Sequence, residues 1–289
     1  MIIDNHVHTG WYTDGYHTPR EVWYSAKSAG IDGMAVSSTS TCAELYKDVV
    51  RELRELKRLG GEQVHPVLWL TPKMMKRRYA LPYMLHSKVD WQGVKMHWEA
   101  HPEWAHNPRL VRQALDVARR LDVPVLLHTG AFDTCHAGLF LDIVRDNADL
   151  TFVLAHARPV DEAIDVLKQC KNAYIDLAFV SQSDLQLLIE EGLADRILFG
   201  TDAPINEVYF NDIETTDYIR QQIEDVKQVC GAEANKIFSR CIYHQGKKTV
   251  RVWDSRRSNQ GNSTKISTPC RSKQLPSRCE EEVEPLDRK

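Results

Sequence analysis

The sequence predicts a (β/α)8 barrel followed by a disordered polar tail, and three observations carry that reading. Eight short apolar and β-branched runs recur along the chain, amphipathic segments with apolar residues every three or four positions separate most of them, and the composition changes near residue 245. Near-continuous apolar strands alternating with helices call for a parallel sheet covered by helices, and eight units close a TIM barrel. Such barrels commonly run about 250 residues as one domain. The expected organisation is therefore one barrel over residues 1–244 and a tail over 245–289. An open doubly wound sheet is the competing architecture, but no GxGxxG follows the first strand.

Taken in order, "IIDNHVH" (2–8) is a strand in which residues two apart share a face, so His6 and His8 point the same way. Two neutral imidazoles at that spacing can bind one metal ion. Next come the strand "IDGMAVSST" (31–39), the helix-like "AELYKDVVRELRELKRLG", and the strands "QVHPVLWL" (63–70) and "QGVKMH" (92–97), the latter carrying Lys95 and His97. "RLVRQALDVARRL" leads into "VPVLLHTG" (123–130) with His128, and "AGLFLDIVRDN" into "TFVLAHA" (151–157) with His156. "DEAIDVLKQC" precedes "AYIDLA" (173–178), and "SDLQLLIEEGL" precedes "RILFGTD" (196–202), which ends on Asp202. "DYIRQQIEDVKQV" and "EANKIFSRCIY" are expected to be closing helices.

The tail is rich in Ser and charged residues and lacks apolar periodicity, which predicts disorder. It holds 11 Lys plus Arg against 6 Asp plus Glu, a net of +5, which leaves −8 for residues 1–244. An acidic barrel repels phosphate backbones, so nucleic acid is not the expected partner. No apolar run approaches the length of a membrane span, and no charged-then-apolar leader precedes the first strand, so a cytoplasmic protein without a membrane partner is expected. The seven cysteines, at 42, 135, 170, 230, 241, 270 and 279, contain no CxxC pair and read as free thiols. Cys135, next to His136, is a candidate thiol nucleophile.

Chemistry in a barrel enzyme sits where the C-terminal strand ends meet their loops. Five strands end there in ionisable or metal-compatible groups: His6 and His8, Lys95 and His97, His128, His156, and Asp202. Four imidazoles and a carboxylate buried in one mouth are costly without a counter-charge, and a divalent cation removes that cost by using their lone pairs. Histidines with one carboxylate accept zinc, manganese, iron or nickel.

In this order, "HVH", "GVKMH", "LLHTG", "LAHAR" and "FGTDAP" resemble the amidohydrolase superfamily of metal-dependent hydrolases, most closely its amidohydrolase-2 branch, which also contains decarboxylases and hydratases. The closing "GAEANKIF" is similar to the Asn-containing final helix of that branch. The resemblance implies His6, His8 and Asp202 as ligands of one metal, usually zinc, with His128 as a further ligand. It makes His156 either a ligand of a second metal or a polariser of substrate. It also implies that Asp202 accepts the proton of the attacking water. Lys95 then has two readings: carboxylated on its amine and bridging two metals, or unmodified and holding a substrate carboxylate beside one metal. The unmodified form is favoured. The catalytic set is thus Asp202, His156 and Lys95, with Lys95, His97, Arg158 and His136 as substrate-binding residues.

Arg158 departs from the small residues that many relatives carry after the sixth-strand histidine, and its fork suits a planar carboxylate or phosphate. The loops "WYTDGYHTP", "WEAHPEWAH" and "AFDTCHAG" are expected to bring Tyr12, His17, Trp98, His101, Asp133 and His136 over the mouth, which suits a small, partly unsaturated or cyclic substrate.

The expected function is hydrolysis of a C–N or C–O bond, in an amide, lactone or related small molecule. A mononuclear decarboxylase or hydratase of an unsaturated carboxylic acid uses the same ligands and is the alternative. More distant is a TatD-type nuclease, which carries an acidic ligand where this chain has Lys95. A binding barrel without turnover is the non-enzyme reading. A homo-oligomer is compatible with the sequence, which does not set the oligomeric state.

Overall fold

The structure is a computed structural model and describes residues 1–130, 132–210 and 213–243. The tail expected at 245–289 lies outside the described residues.

The architecture is mixed α/β and TIM-barrel-like: one curled nine-stranded sheet flanked by helices. The strands are β1 (Ile3–Tyr12), β2 (Gly15–His17), β3 (Gly33–Ser38), β4 (Val64–Trp69), β5 (Gly93–Met96), β6 (Val125–His128), β7 (Phe152–Ala155), β8 (Ala173–Asp176) and β9 (Ile197–Leu198). Their order is β2-β1-β3-β4-β5-β6-β7-β8-β9, and every neighbouring pair from β1 through β3 to β9 is parallel. Eight parallel strands match the expected number.

Two strands differ from expectation. β2 is an added antiparallel strand pairing Gly10, Trp11 and Tyr12 with residues of Gly15–His17. The reason is a tight Thr13-Asp14 turn, closed by the Tyr12–Gly15 pair, inside what reads as a mouth loop. β9 is two residues long instead of seven. Beyond it the chain bonds irregularly to β1: Asn5 N–H donates to Phe199 O, Asp202 N–H to His6 O, and His8 N–H to Ala203 O, each at 2.8 Å. A parallel bridge between Val7 and Ala203 completes this join of the two sheet ends.

Helices form where apolar periodicity coincides with caps. Pro108–Leu121 starts where the Asn107 side chain accepts from Leu110 N–H and stops where Asp122 takes a left-handed φ of 58°. It buries Leu110, Val111, Ala114, Leu115, Val117 and Ala118 against the sheet layer. The helix Pro19–Ser28, not anticipated from periodicity, carries a Thr18–Glu21 capping box with Pro19 at its first turn. Within the barrel, Leu126, Val153, Ala155 and Leu198 pack together. A second cluster joins Ala35, Val67 and the fully buried Tyr243. Gly93 is required there, because a Cβ on it would stand 2.7 Å from the Tyr243 ring. Among the described residues no helix is long and apolar enough to cross a membrane.

Candidate metal centre

β1 is buried from Ile3 to Gly10, and its alternation delivers His6 and His8 to one side, with ring centroids 5.2 Å apart. Each imidazole is oriented from behind. His6 Nδ1 donates to Asp176 Oδ2 at 3.0 Å. His8 Nδ1 lies 3.0 Å from Ser37 Oγ and 3.3 Å from Ser37 O. His156 Nδ1 donates to Ala178 O at 3.1 Å. A proton on Nδ1 leaves Nε2 as the lone-pair atom.

Those lone pairs converge. Asp202 Oδ1 lies 3.1 Å from His6 Nε2 and 2.9 Å from His8 Nε2, and is itself buried without a hydrogen-bond partner. Lys95, which β5 contributes, places Nζ 2.9 Å from both Nε2 atoms and 4.5 Å from the Trp69 ring centroid. Lys95 bonds both imidazole lone pairs, but the Asp202 oxygen beside them is left orphaned, a cost a cation among the three donors would remove. This donor set therefore fits a divalent ion.

Electrostatics keep the donors in ligating form. Burial, and then the Lys95 charge, push His8 down to about 4. Burial and the neighbouring His128 hold His156 well below the usual imidazole range, and burial lowers His128 as well. Burial works to raise the Asp202 carboxyl, but His6 and His8 beside it outweigh that and hold it well below the ordinary range. Burial lowers the Lys95 amine to about 8, against the pull of Asp202 and Asp176.

Backbone strain concentrates here. His156, Ala157, Phe179 and Asp202, all at or just beyond strand ends, have φ of 68°, 48°, 55° and 62°. Non-glycine residues in this region cost on the order of 1–3 kcal/mol each and persist only where surroundings impose them. Asp4 is one such restraint: it accepts from Thr201 Oγ1 at 2.7 Å and from the N–H groups of Thr201 and His6 at 3.1 Å.

The other expected residues fall in distinct places. His97 stacks against Trp69 (centroids 5.4 Å apart) and His128 (3.6 Å), forming an aromatic wall. His128 directs Nε2 at Glu99 Oε2, 3.0 Å away, and so groups with Glu99 and Cys135; His156 groups with His6 and Asp176. Arg158 Nη2 donates to Phe179 O at 3.2 Å. His136 lies 3.6 Å from Glu162, in the first turn of the helix Val160–Gln169, and 3.8 Å from the loop acid Asp133, so these acids hold it. Trp98 is not over the mouth but buried against Trp104 and Phe140, because a bare indole packs better there than in water. His17 pairs with Asp14 at 3.0 Å. His101 contacts the Trp69 ring edge. Burial and Glu99 raise the Cys135 thiol to about 11, out of the range of a thiolate nucleophile.

Sequence reasoning missed Asp176 and Glu99. Asp176 ends β8 as Asp202 follows β9, so the strand-end rule that found the other residues could have found it. Glu99 lies in the loop after β5, where no periodicity points to it.

A family model described as Amidohydrolase matches residues 91–238 of the chain. No curated protein matches. Solved structures share the fold at low identity. An amidohydrolase from Burkholderia multivorans with bound zinc is 11% identical with a TM-score of 0.58, over 83% of this chain and 96% of that one. An IDCase from Metarhizium anisopliae in apo form is 14% identical with a TM-score of 0.55, over 83% and 95%. The 4-oxalomesaconate hydratase LigJ from Rhodopseudomonas palustris is 15% identical with a TM-score of 0.58, over 83% and 93%.

Proposed function

The chain belongs to the amidohydrolase family, and from that membership we propose that it is a metal-dependent hydrolase cleaving a C–N or C–O bond of a small molecule. The observation that carries this reading is the convergence of His6 Nε2, His8 Nε2 and Asp202 Oδ1, with Lys95 Nζ 2.9 Å from both nitrogens. Residues 1–244 form the catalytic unit in this proposal, as a (β/α)8 barrel, and 245–289 a separate polar segment.

His6, His8 and Asp202 would hold a divalent ion of the zinc type, with His128 and His156 lining the same mouth. The ion supplies Lewis acidity, polarising a substrate carbonyl and lowering the pKa of water. Asp202 Oδ1 faces the two imidazoles, so Oδ2 is the atom that takes up the proton of the attacking water and returns it to the leaving group. His156, neutral and fixed by Ala178 O, presents Nε2 to the substrate. Arg158 and the Trp69–His97–His128 stack offer a fork and a flat wall for a planar acid.

The state of Lys95 separates a binuclear hydrolase from a mononuclear site. An amine lowered to about 8 has an appreciable neutral fraction at neutral pH, the form that adds carbon dioxide. The test is metal content per chain together with gentle intact-mass measurement. Two metals and the added carboxylate mass support a binuclear hydrolase, to be assayed on lactones and amides. One metal without added mass leaves Lys95 as a cation for a substrate carboxylate, and carboxylated substrates are then assayed for both hydrolysis and decarboxylation. A chain that retains no divalent metal and is active in chelator refutes both.

A further inference from the structure

The helix Thr215–Cys230 buries a stripe of Tyr218, Ile219, Ile223, Val226 and Cys230, and Tyr218 alone in that stripe carries a hydroxyl. Tyr218 is 4% exposed, and a phenylalanine would fill the same space, so packing does not account for the hydroxyl. It donates to Thr201 O at 3.1 Å. The N–H of Phe179 faces the same hydroxyl oxygen, and Asp202, Asp4 and Arg158 are near enough to act on it by charge.

Thr201 O belongs to the peptide unit that ends on Asp202 N, and that N–H donates to His6 O at 2.8 Å. With its carbonyl tied to Tyr218 and its N–H tied to His6, the planar unit cannot swivel about its Cα–Cα line. The φ of Asp202, 62°, is measured from this plane, so the same two bonds set the direction in which the carboxylate leaves the chain. Asp4 does not duplicate the tie: it bonds the N–H and the hydroxyl of Thr201 and leaves the carbonyl to Tyr218.

Phe179, whose φ of 55° is also left-handed, lies with its ring 6.1 Å from the Tyr218 ring. Ala178 and Phe179 give consecutive carbonyls to His156 Nδ1 at 3.1 Å and Arg158 Nη2 at 3.2 Å. One buried hydroxyl therefore stands between the segment that carries Asp202 and the segment that orients His156 and Arg158.

We infer that Tyr218 is a positioning residue: its hydroxyl clamps the Thr201–Asp202 peptide and so aims the Asp202 carboxylate at His6 and His8. Its effect on metal binding rests on the function proposed above, while the clamp itself is a property of the metal-free chain.

The test is Tyr218→Phe in the full chain, with melting in excess chelator to verify the fold. The first measurement is amide hydrogen exchange by NMR in metal-free protein, read as the ratio of the Asp202 rate to that of Val226 in the middle of the helix. That ratio is expected to rise at least about tenfold, because local opening at Asp202 becomes easier while global unfolding moves both amides alike. The second is zinc competition against a chromophoric chelator, in which affinity is expected to fall about tenfold. Ile223→Ala opens a cavity on the same helix face without touching the hydroxyl; it should lower the melting temperature and leave both readings within about twofold. A ratio unchanged in folded Tyr218→Phe overturns the clamp, as does an Asp202 amide that exchanges freely in the unaltered chain. A raised ratio with unaltered zinc affinity overturns the positioning of the carboxylate. An unaltered chain that binds no zinc refutes the metal-dependent function, and the exchange ratio then still decides the clamp.

Discussion

Asp176→Asn isolates what orients the His6 imidazole. Asp176 is fully buried and accepts three hydrogen bonds: His6 Nδ1 on Oδ2 at 3.0 Å, and the N–H groups of His156 and Ala178 on Oδ1 at 3.1 Å each. Asparagine keeps an oxygen for the two backbone donors but turns an NH2 toward His6. His6 Nδ1 must then accept, which moves its proton to Nε2, the atom 3.1 Å from Asp202 Oδ1. The lone pair that the proposed ion would use is lost unless the ring reverses its tautomer. Loss of such a supporting partner typically lowers metal affinity about 10–100-fold, or about 1.4–2.7 kcal/mol. The assay is zinc competition against a chromophoric chelator, with melting in excess chelator to verify the fold. An affinity within about twofold of the unaltered chain, in a folded variant, would refute the argument that Asp176 sets the His6 tautomer.

Acid should destabilise the metal-free protein. His8 is at about 4 in the fold against 6.5 unfolded, so between those values the unfolded chain binds more protons and stability falls as pH falls. By pH 5 this costs about 2 kcal/mol for His8 alone. His97, His128 and His156 are shifted in the same direction and add to it. Asp4, which burial raises to about 7, stabilises as pH falls from 7 toward 3.8 and offsets roughly one of these histidines. Denaturant midpoints in chelator at pH 7.5 and 5 should therefore drop, and an unchanged midpoint would contradict neutral burial of the imidazoles. Gly93→Ala drives a methyl to within 2.7 Å of the Tyr243 ring and should cost about 1–3 kcal/mol, seen as a lower melting temperature that Tyr243→Leu partly restores. Lys95→Met removes the charge that contributes most after burial to the lowering of His8, so His8 should titrate above about 4 by NMR in metal-free protein. No upward movement would place the Lys95 charge elsewhere.

Legibility followed periodicity. Strands and helices with a clear repeat, such as β1 and Pro108–Leu121, were readable because the repeat is what packs them. The rule that polar residues closing apolar strands face the mouth picked out His6, His8, Lys95 and Asp202, which the structure brings within 3.1 Å contacts of one another. The same rule applies to Asp176, where a single acid between Ile175 and Leu177 passes for a strand residue until His6 is seen beside it. Loops escape the rule. Adjacency pairs Cys135 with His136, yet its partner in space is Glu99, 36 positions earlier. Only the parallel pairing of β5 with β6 brings the loops that follow them side by side.

The short β9 links these points. A regular strand through residue 202 would alternate its side chains and could not also hand its N–H groups inward. Instead Asp202 takes a φ of 62°, its N–H donates to His6 O at 2.8 Å, and its C=O accepts from Ile205 N–H at 2.9 Å. The backbone of His6 thus fixes the carboxylate that its ring faces. Strain at Asp202, on the order of 1–3 kcal/mol, is tolerated because Thr201, bound by Asp4, and Ala203, bridged to Val7, pin both of its neighbours to β1. Two histidines at the start of the chain come to face Asp202 because the last strand gives up regular pairing to meet them.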